Sequence, residues 1–209
     1  MVPSLSALWQ FALVVALLTI TPGVDTALVL RSAAVAGRAR AWGAVVGIGC
    51  GVLAWGALTA VGISALLAAS QVAYTVVRLA GAAYLVYLGL RLLRSAFRGH
   101  VGAMSVSAGV TDSFGAGWSQ GLVTNLLNPK VGAFYLAILP QFIPADAPHL
   151  TWGLSLAAVH VAEGTVWLGA VLLLARSLRV WLERPRVVRG IDAVVGTVIA
   201  GFGVRLALD

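Results

Sequence analysis

Apolar residues along this chain come in long continuous runs, without the alternation of a half-buried strand. Between Arg40 and Arg78 lie 37 residues with no Asp, Glu, Lys or Arg. About 20 apolar residues cross a bilayer as a helix, so this gap exceeds one crossing. Lipid leaves no exposed backbone group unpaired, which restricts crossing elements to helices and closed barrels. Continuous runs select helices over barrel strands. The pattern predicts six transmembrane helices, at about 5–30, 42–66, 71–92, 116–140, 151–175 and 191–208. The joints carry loop punctuation: AGRAR before the second helix, RSAFRGH after the third, PQFIPADAPHL after the fourth, RSLRVWLERPRVVRG after the fifth. No stretch reads as a separate soluble domain, so residues 1–209 are expected to form one transmembrane unit.

Composition agrees. The chain is 60% hydrophobic and 10% charged, with a mean hydropathy of +0.98, where a soluble domain carries roughly a quarter charged residues. The net charge of +7 does not indicate a nucleic-acid partner, because the arginines cluster in short loops. Arg31, Arg38 and Arg40 follow the first helix, Arg91, Arg94 and Arg98 close the third, and Arg176, Arg179, Arg184, Arg186 and Arg189 follow the fifth. The loops after the second and fourth helices hold no Lys or Arg. Positive loops face the cytoplasm, which puts both termini outside. Arg78 is the exception within a span and is expected to snorkel to an outer edge. Asp192, beside Arg189, reads as a solvated charge at an inner edge. The opening MVPSLSALWQFALVVALL lacks a basic leader segment and reads as the first span. Cys50 is the chain's single cysteine, so no internal disulfide, CxxC pair or thiolate metal site is expected.

The chain also resembles itself. TPGVD at 21–25 matches NPKVG at 128–132, Trp42-Gly43 matches Trp152-Gly153, and Gly89-Leu90-Arg91-Leu92 matches Gly203-Val204-Arg205-Leu206. These matches occur in the same order and divide the chain into halves of about 1–100 and 113–209, three spans each. An odd number of spans per half makes the second half inverted. Inverted repeats with interrupted helices at matching positions are the pattern of secondary transporters, whose site lies near the midplane. Pro22 and Pro129 are those interruptions.

Proline removes a helical hydrogen bond but suits the first helical position after a capping side chain. Thr21-Pro22 and Asn128-Pro129 both fit that order, so helices one and four are expected to break there. Two half-helix N-termini would converge on a central chamber and favour an anion. Lys130 adds a full positive charge in the first turn of the second; the alternative is a lysine that snorkels to a membrane edge. The candidate binding residues are Thr21, Pro22, Gly23 and Asp25 at the first break and Asn125, Asn128, Pro129 and Lys130 at the second. Glu163 in the fifth span, His160 one turn before it on the same face, and Asp25 are the candidates for proton coupling. Either acid could instead form an ion pair with Lys130, or meet a substrate ammonium group. With two acids and one lysine, one carboxylate is expected to hold a proton at rest.

Gly43, Gly47 and Gly51 form GxxxGxxxG on one face, the spacing of close helix packing in lipid. Two other patterns are decoys. Gly117-Trp118-Ser119-Gln120-Gly121 matches a hydrolase elbow, but opens an apolar helix where that elbow needs a strand. Ser64 and His160 fall at different depths, against an intramembrane serine protease. No nucleophile and base come together, so no enzyme is expected.

TPGVDTALVL followed by GRARAWGAVVGIGCG, RLAGAAYLVYLGLRLL, and GLVTNLLNPKVGAFYLAILPQFI resemble the lysine-exporter (LysE/RhtB) family of bacterial amino-acid exporters. The resemblance covers most of the chain and is weakest in the fifth span and the loops. It implies six helices in the bacterial cytoplasmic membrane and efflux of amino acids or their derivatives, driven by the proton gradient. Amino acid, protons and lipid are then the partners, with no cofactor or metal and with homo-oligomerisation left open. The family's first motif usually reads Pro-Gly-Pro; here Val24 holds the third place, which softens the break. Asp25 stands where the family commonly has Asn or Asp. An exporter of inorganic cations and a passive channel are the competing readings of the same architecture.

Overall fold

A computed structural model describes residues 5–69, 71–98, 112–174 and 184–208. Eight α-helices occur among them: α1 (Leu5–Ile20), α2 (Val24–Arg31), α3 (Arg38–Ala69), α4 (Gln71–Arg98), α5 (Phe114–Leu126), α6 (Pro129–Ala137), α7 (His149–Leu173) and α8 (Pro185–Leu208). A π-helical turn, Ser32–Ala36, follows α2, and a 3-10 turn, Leu139–Phe142, follows α6. No strand is present among the described residues. Arg176 and Arg179 lie outside the described residues, as do the side chains of Ser64, Arg78 and Asp192.

The apolar runs become helices where expected, but their ends extend further. α3 begins at Arg38 instead of 42, and α8 begins at Pro185 instead of 191. Polar first turns are invisible to an apolar-run reading, and proline has no N–H to satisfy at a helix start. α5 starts at Phe114 because Ser113 caps it, its hydroxyl accepting from the Ala116 N–H at 3.4 Å.

Arg38–Gly62 within α3 and all of α7 are long and apolar enough to cross a membrane singly. So are α1 with α2, and α5 with α6 and its 3-10 extension, when each bent pair counts as one span. The bends are 56° and 54°, at the two prolines. α4 is 28 residues long with a shorter apolar stretch, Leu79–Arg91, and α8 is 24 residues long. The architecture is that of an all-helical, multi-pass membrane protein.

Small residues set the packing. A Cβ placed on Gly43 or Gly47 would overlap the backbone carbonyl of Phe114 or Trp118, and one on Gly51 would come 2.6 Å from Asn125 Oδ1. Gly117 and Gly121 answer from α5, against the carbonyls of Arg40 and Ala44. The hydrolase-like GxSxG is therefore half of a glycine seam between α3 and α5, and Ser119 donates to the Ala116 carbonyl at 3.2 Å. α4 and α8 meet through a second seam, Gly89 against Gly196 and Ala200, and Gly203 against Ala82 and Val86. Gly56 of α3 fits against Gly153 and Ala157 of α7.

Two apolar cores result. One joins Phe11, Val15 and Leu18 of α1 to Val131, Phe134 and Ile138 of α6 and Leu156 of α7. The other joins Leu28 and Val29 of α2 to Val45 and Ile48 of α3 and Leu168 and Val171 of α7. Leu18, Val52 and Val131 of the first and Val45, Ile48 and Leu168 of the second wall a single cavity between them.

Candidate functional site

The two broken helices meet at that cavity. At the second break Asn128 is the N-cap, its side-chain oxygen accepting from the Lys130 N–H at 3.0 Å, with Pro129 first in the helix. This is the expected order. The first break differs. Thr21 does not cap α2, because its hydroxyl turns back and donates to the Leu17 carbonyl at 2.6 Å. Pro22 lies in the linker, and Gly23, with extended backbone and no side chain to offer, holds the N-cap position.

Each half then binds the other half's break. From the first half, Asp25 Oδ2 accepts from Asn125 Nδ2 at 2.9 Å and from Asn128 Nδ2 at 3.2 Å. From the second half, Lys130 Nζ donates to the carbonyls of Leu18 at 3.2 Å and Thr21 at 3.1 Å. Both charges suit the helix ends they meet. Asp25 lies in the first turn of α2, near the positive end of its dipole, and the ammonium sits at the negative end of α1. Convergence of two free N-termini was expected; both C-terminal ends, of α1 and α5, meet there as well, and Lys130 serves that of α1. Trp55 steadies the second break, its indole N–H donating to the Asn125 carbonyl at 3.4 Å.

The cavity measures about 50 Å³ and is lined by Thr21, Gly23, Asp25, Asn125, Asn128, Lys130 and His160 among others. That volume admits a few waters, so the polar groups crowd a narrow space. Of the candidate residues, all but Pro22, Pro129 and Glu163 line it. The prolines shape the backbone from behind. Glu163 is half-buried on α7, and its Oε2 is buried with no hydrogen-bond partner among the described residues. His160 does face the cavity, and its Nδ1 shares a 3.2 Å hydrogen bond with the fully buried Tyr135 hydroxyl, the rings stacked.

Asp25 Oδ1, Asn125 Oδ1, Thr19 Oγ1 and Trp167 Nε1 are buried without hydrogen-bond partners among the described residues, and all four side chains belong to the lining. Buried polar atoms are normally paired, so these four stand out against the rest of the lining. Acceptors and donors are both present among them. Tyr135, Trp55, Trp167 and Thr19 escape a sequence reading because each sits in an apolar run and looks like packing.

Discontinuous helices whose ends surround a polar cavity within a multi-pass membrane protein are the structural class of translocators. The chain belongs to the LysE type translocator family, whose profile matches residues 16–209. Proteins of Salmonella typhimurium and Salmonella typhi named homoserine/homoserine lactone efflux protein are each 28% identical over 97 residues, 46% of this chain and 47% of theirs. An uncharacterized membrane protein of Bacillus subtilis, YrhP, is 24% identical over 90 residues, 43% of each chain. The chain thus aligns with less than half the length of these curated relatives. No solved structure matches it.

Proposed function

We propose that this protein exports zwitterionic amino acids or their close derivatives, homoserine among them, across the bacterial cytoplasmic membrane by alternating access. The observation that carries the proposal is the cross-binding of the two breaks, which puts an ammonium donor and a carboxylate acceptor in one cavity. The substrate carboxylate would meet Lys130 and the α2 N-terminus, and its ammonium Asp25 Oδ1 and Asn125 Oδ1. Thr19 and Trp167 would receive a small polar side chain. The names of the Salmonella relatives support this substrate class.

Alternating access rests on six spans in two inverted repeats: α1 with α2, α3 and α4, then α5 with α6, α7 and α8. The α4–α8 seam supports the inversion, since Gly89 meets Gly196 and Ala200 as its counterpart Gly203 meets Ala82 and Val86, their counterparts. Rocking of one half against the other would open the cavity to each side in turn. The proton gradient would drive it, with His160, Glu163 and Asp25 as carriers.

The test is efflux from cells loaded with labelled homoserine, threonine, leucine and lysine, with and without the protein. Faster loss of at least one, continuing against a gradient and stopped by a protonophore, is expected. Background rates for all of them would sink the proposal. Strictly downhill flux would favour a channel, and flux of metal ions alone would favour a cation exporter.

A further inference from the structure

The C-terminal end of α1 is an arrangement of stranded carbonyls. In an unbroken helix the Leu18 carbonyl would accept from the N–H of residue 22, and the Thr21 carbonyl from that of residue 25. Residue 22 is proline, which has no N–H, and the 56° bend carries residue 25 out of line. Both oxygens are left at the negative end of a helix dipole without their helical partners. Lys130 Nζ meets them at 3.2 and 3.1 Å. Glycine at position 23 leaves room for the approach: a Cβ there would stand 3.2 Å from Nζ and 3.6 Å from Cε, a tight contact that would shift the lysine tip slightly. Asp25, with one oxygen bound to Asn125 and Asn128 and the other without a hydrogen-bond partner among the described residues, shares the cavity and is its carboxyl group.

Unwound carbonyls and a half-helix C-terminus near a carboxylate make a site for a monovalent cation in a membrane carrier. The geometry points to a monovalent-cation site at the end of α1, filled by the protein's own Lys130 ammonium in place of a dissolved ion. The tethered cation joins the second half of the chain to the first, and the site has no need of sodium or potassium. Removing the side chain beyond Cβ creates a vacancy for a small cation of the ammonium or alkali class. This goes beyond the export proposal and does not depend on which solute is moved.

The test is thermal unfolding of the purified protein and of Lys130→Ala in detergent, in matched concentrations of sodium, potassium, methylammonium or tetramethylammonium chloride. Lys130→Ala is expected to melt below the parent. Methylammonium or an alkali ion should raise its Tm saturably, by roughly 3–5 °C at tenfold excess over half-saturation. Tetramethylammonium, bulky and without N–H groups, should fail, and the parent should respond to none. A variant indifferent to every cation, or a parent that responds as the variant does, overturns the inference.

A second measurement covers a variant too unstable to purify. Pro22→Ala restores the N–H that Leu18 lacks. Lys130→Ala should therefore cost less Tm, or be recovered in higher yield, in the Pro22→Ala background than alone; an equal loss in both overturns the inference. Because melting is read without transport, its failure leaves the export proposal standing, and failed efflux leaves this one standing.

Discussion

The carboxylate of Asp25 and the side-chain amide of Asn125 are joined by a 2.9 Å hydrogen bond that ties the two broken helices together. Asn125 is completely buried, its other polar atom, Oδ1, has no hydrogen-bond partner among the described residues, and its backbone carbonyl receives the Trp55 indole. A hydrogen bond to a charged group contributes about 1.5–3 kcal/mol, and stranding a buried amide costs a similar amount. Asp25→Ala should therefore lower stability by about 2–3 kcal/mol and efflux by about tenfold or more. A double-mutant cycle of Asp25→Ala with Asn125→Ala should return a coupling of about 1–3 kcal/mol. Additive effects would show that the bond does not link the halves.

The Asn-Pro-Lys break was legible from sequence because capping is local: the cap, the proline and the N–H it serves lie within three positions. The first break was displaced by two residues because Thr21 has two local options, and its hydroxyl takes the Leu17 carbonyl behind it. The bond from Asp25 to Asn125 was not legible, since it spans 100 positions and neither residue marks the other. Nor was the target of Lys130, because backbone carbonyls carry no residue signature. The glycine seam was half legible. Gly43, Gly47 and Gly51 advertised it, while Gly117 and Gly121 were disguised as an enzyme motif.

Gly47 should tolerate no side chain. The Cβ of alanine would run into the Trp118 carbonyl across the α3–α5 seam, where both neighbours are backbone and cannot turn aside. Overpacking of this kind costs about 1–3 kcal/mol. Gly47→Ala should lose that much stability in detergent unfolding. Gly62→Ala, on the same helix with nothing within 4 Å of its Cβ, should match or exceed the parent. Equal behaviour of the two variants would show that the seam is not close-packed.

The Tyr135 hydroxyl has one hydrogen-bond partner among the described residues, the Nδ1 of His160, at 3.2 Å. A buried hydroxyl with one partner keeps its hydrogen satisfied by donating, which makes Nδ1 the acceptor and puts the ring's proton on Nε2. Tyr135→Phe should free His160 to change tautomer while keeping the stacked ring. The expected result is a stability loss of only about 1 kcal/mol, together with a weaker apparent affinity for the exported solute. His160→Ala should show the same affinity defect or a larger one. Unchanged half-saturation in Tyr135→Phe would reduce the tyrosine to packing.

Glu163 should separate coupling from binding. It sits one turn beyond His160 on α7, yet it is absent from the cavity lining, and its buried Oε2 has no hydrogen-bond partner among the described residues. A carboxyl placed within a membrane span is costly, by about 2.5–3.5 kcal/mol on insertion scales, when its charge is uncompensated. If a proton is carried in step with the solute, as proposed, Glu163 is a carboxyl placed to hold it outside the cavity lining. Glu163→Gln keeps the shape and removes the titration. Its half-saturation for solute leaving down a gradient should match the parent's, because the cavity is untouched. Accumulation against a gradient should collapse, and a protonophore should then change nothing further. If the variant still pumps uphill with the parent's dependence on pH, the proton path runs elsewhere, and His160 and Asp25 are the remaining carriers within the cavity.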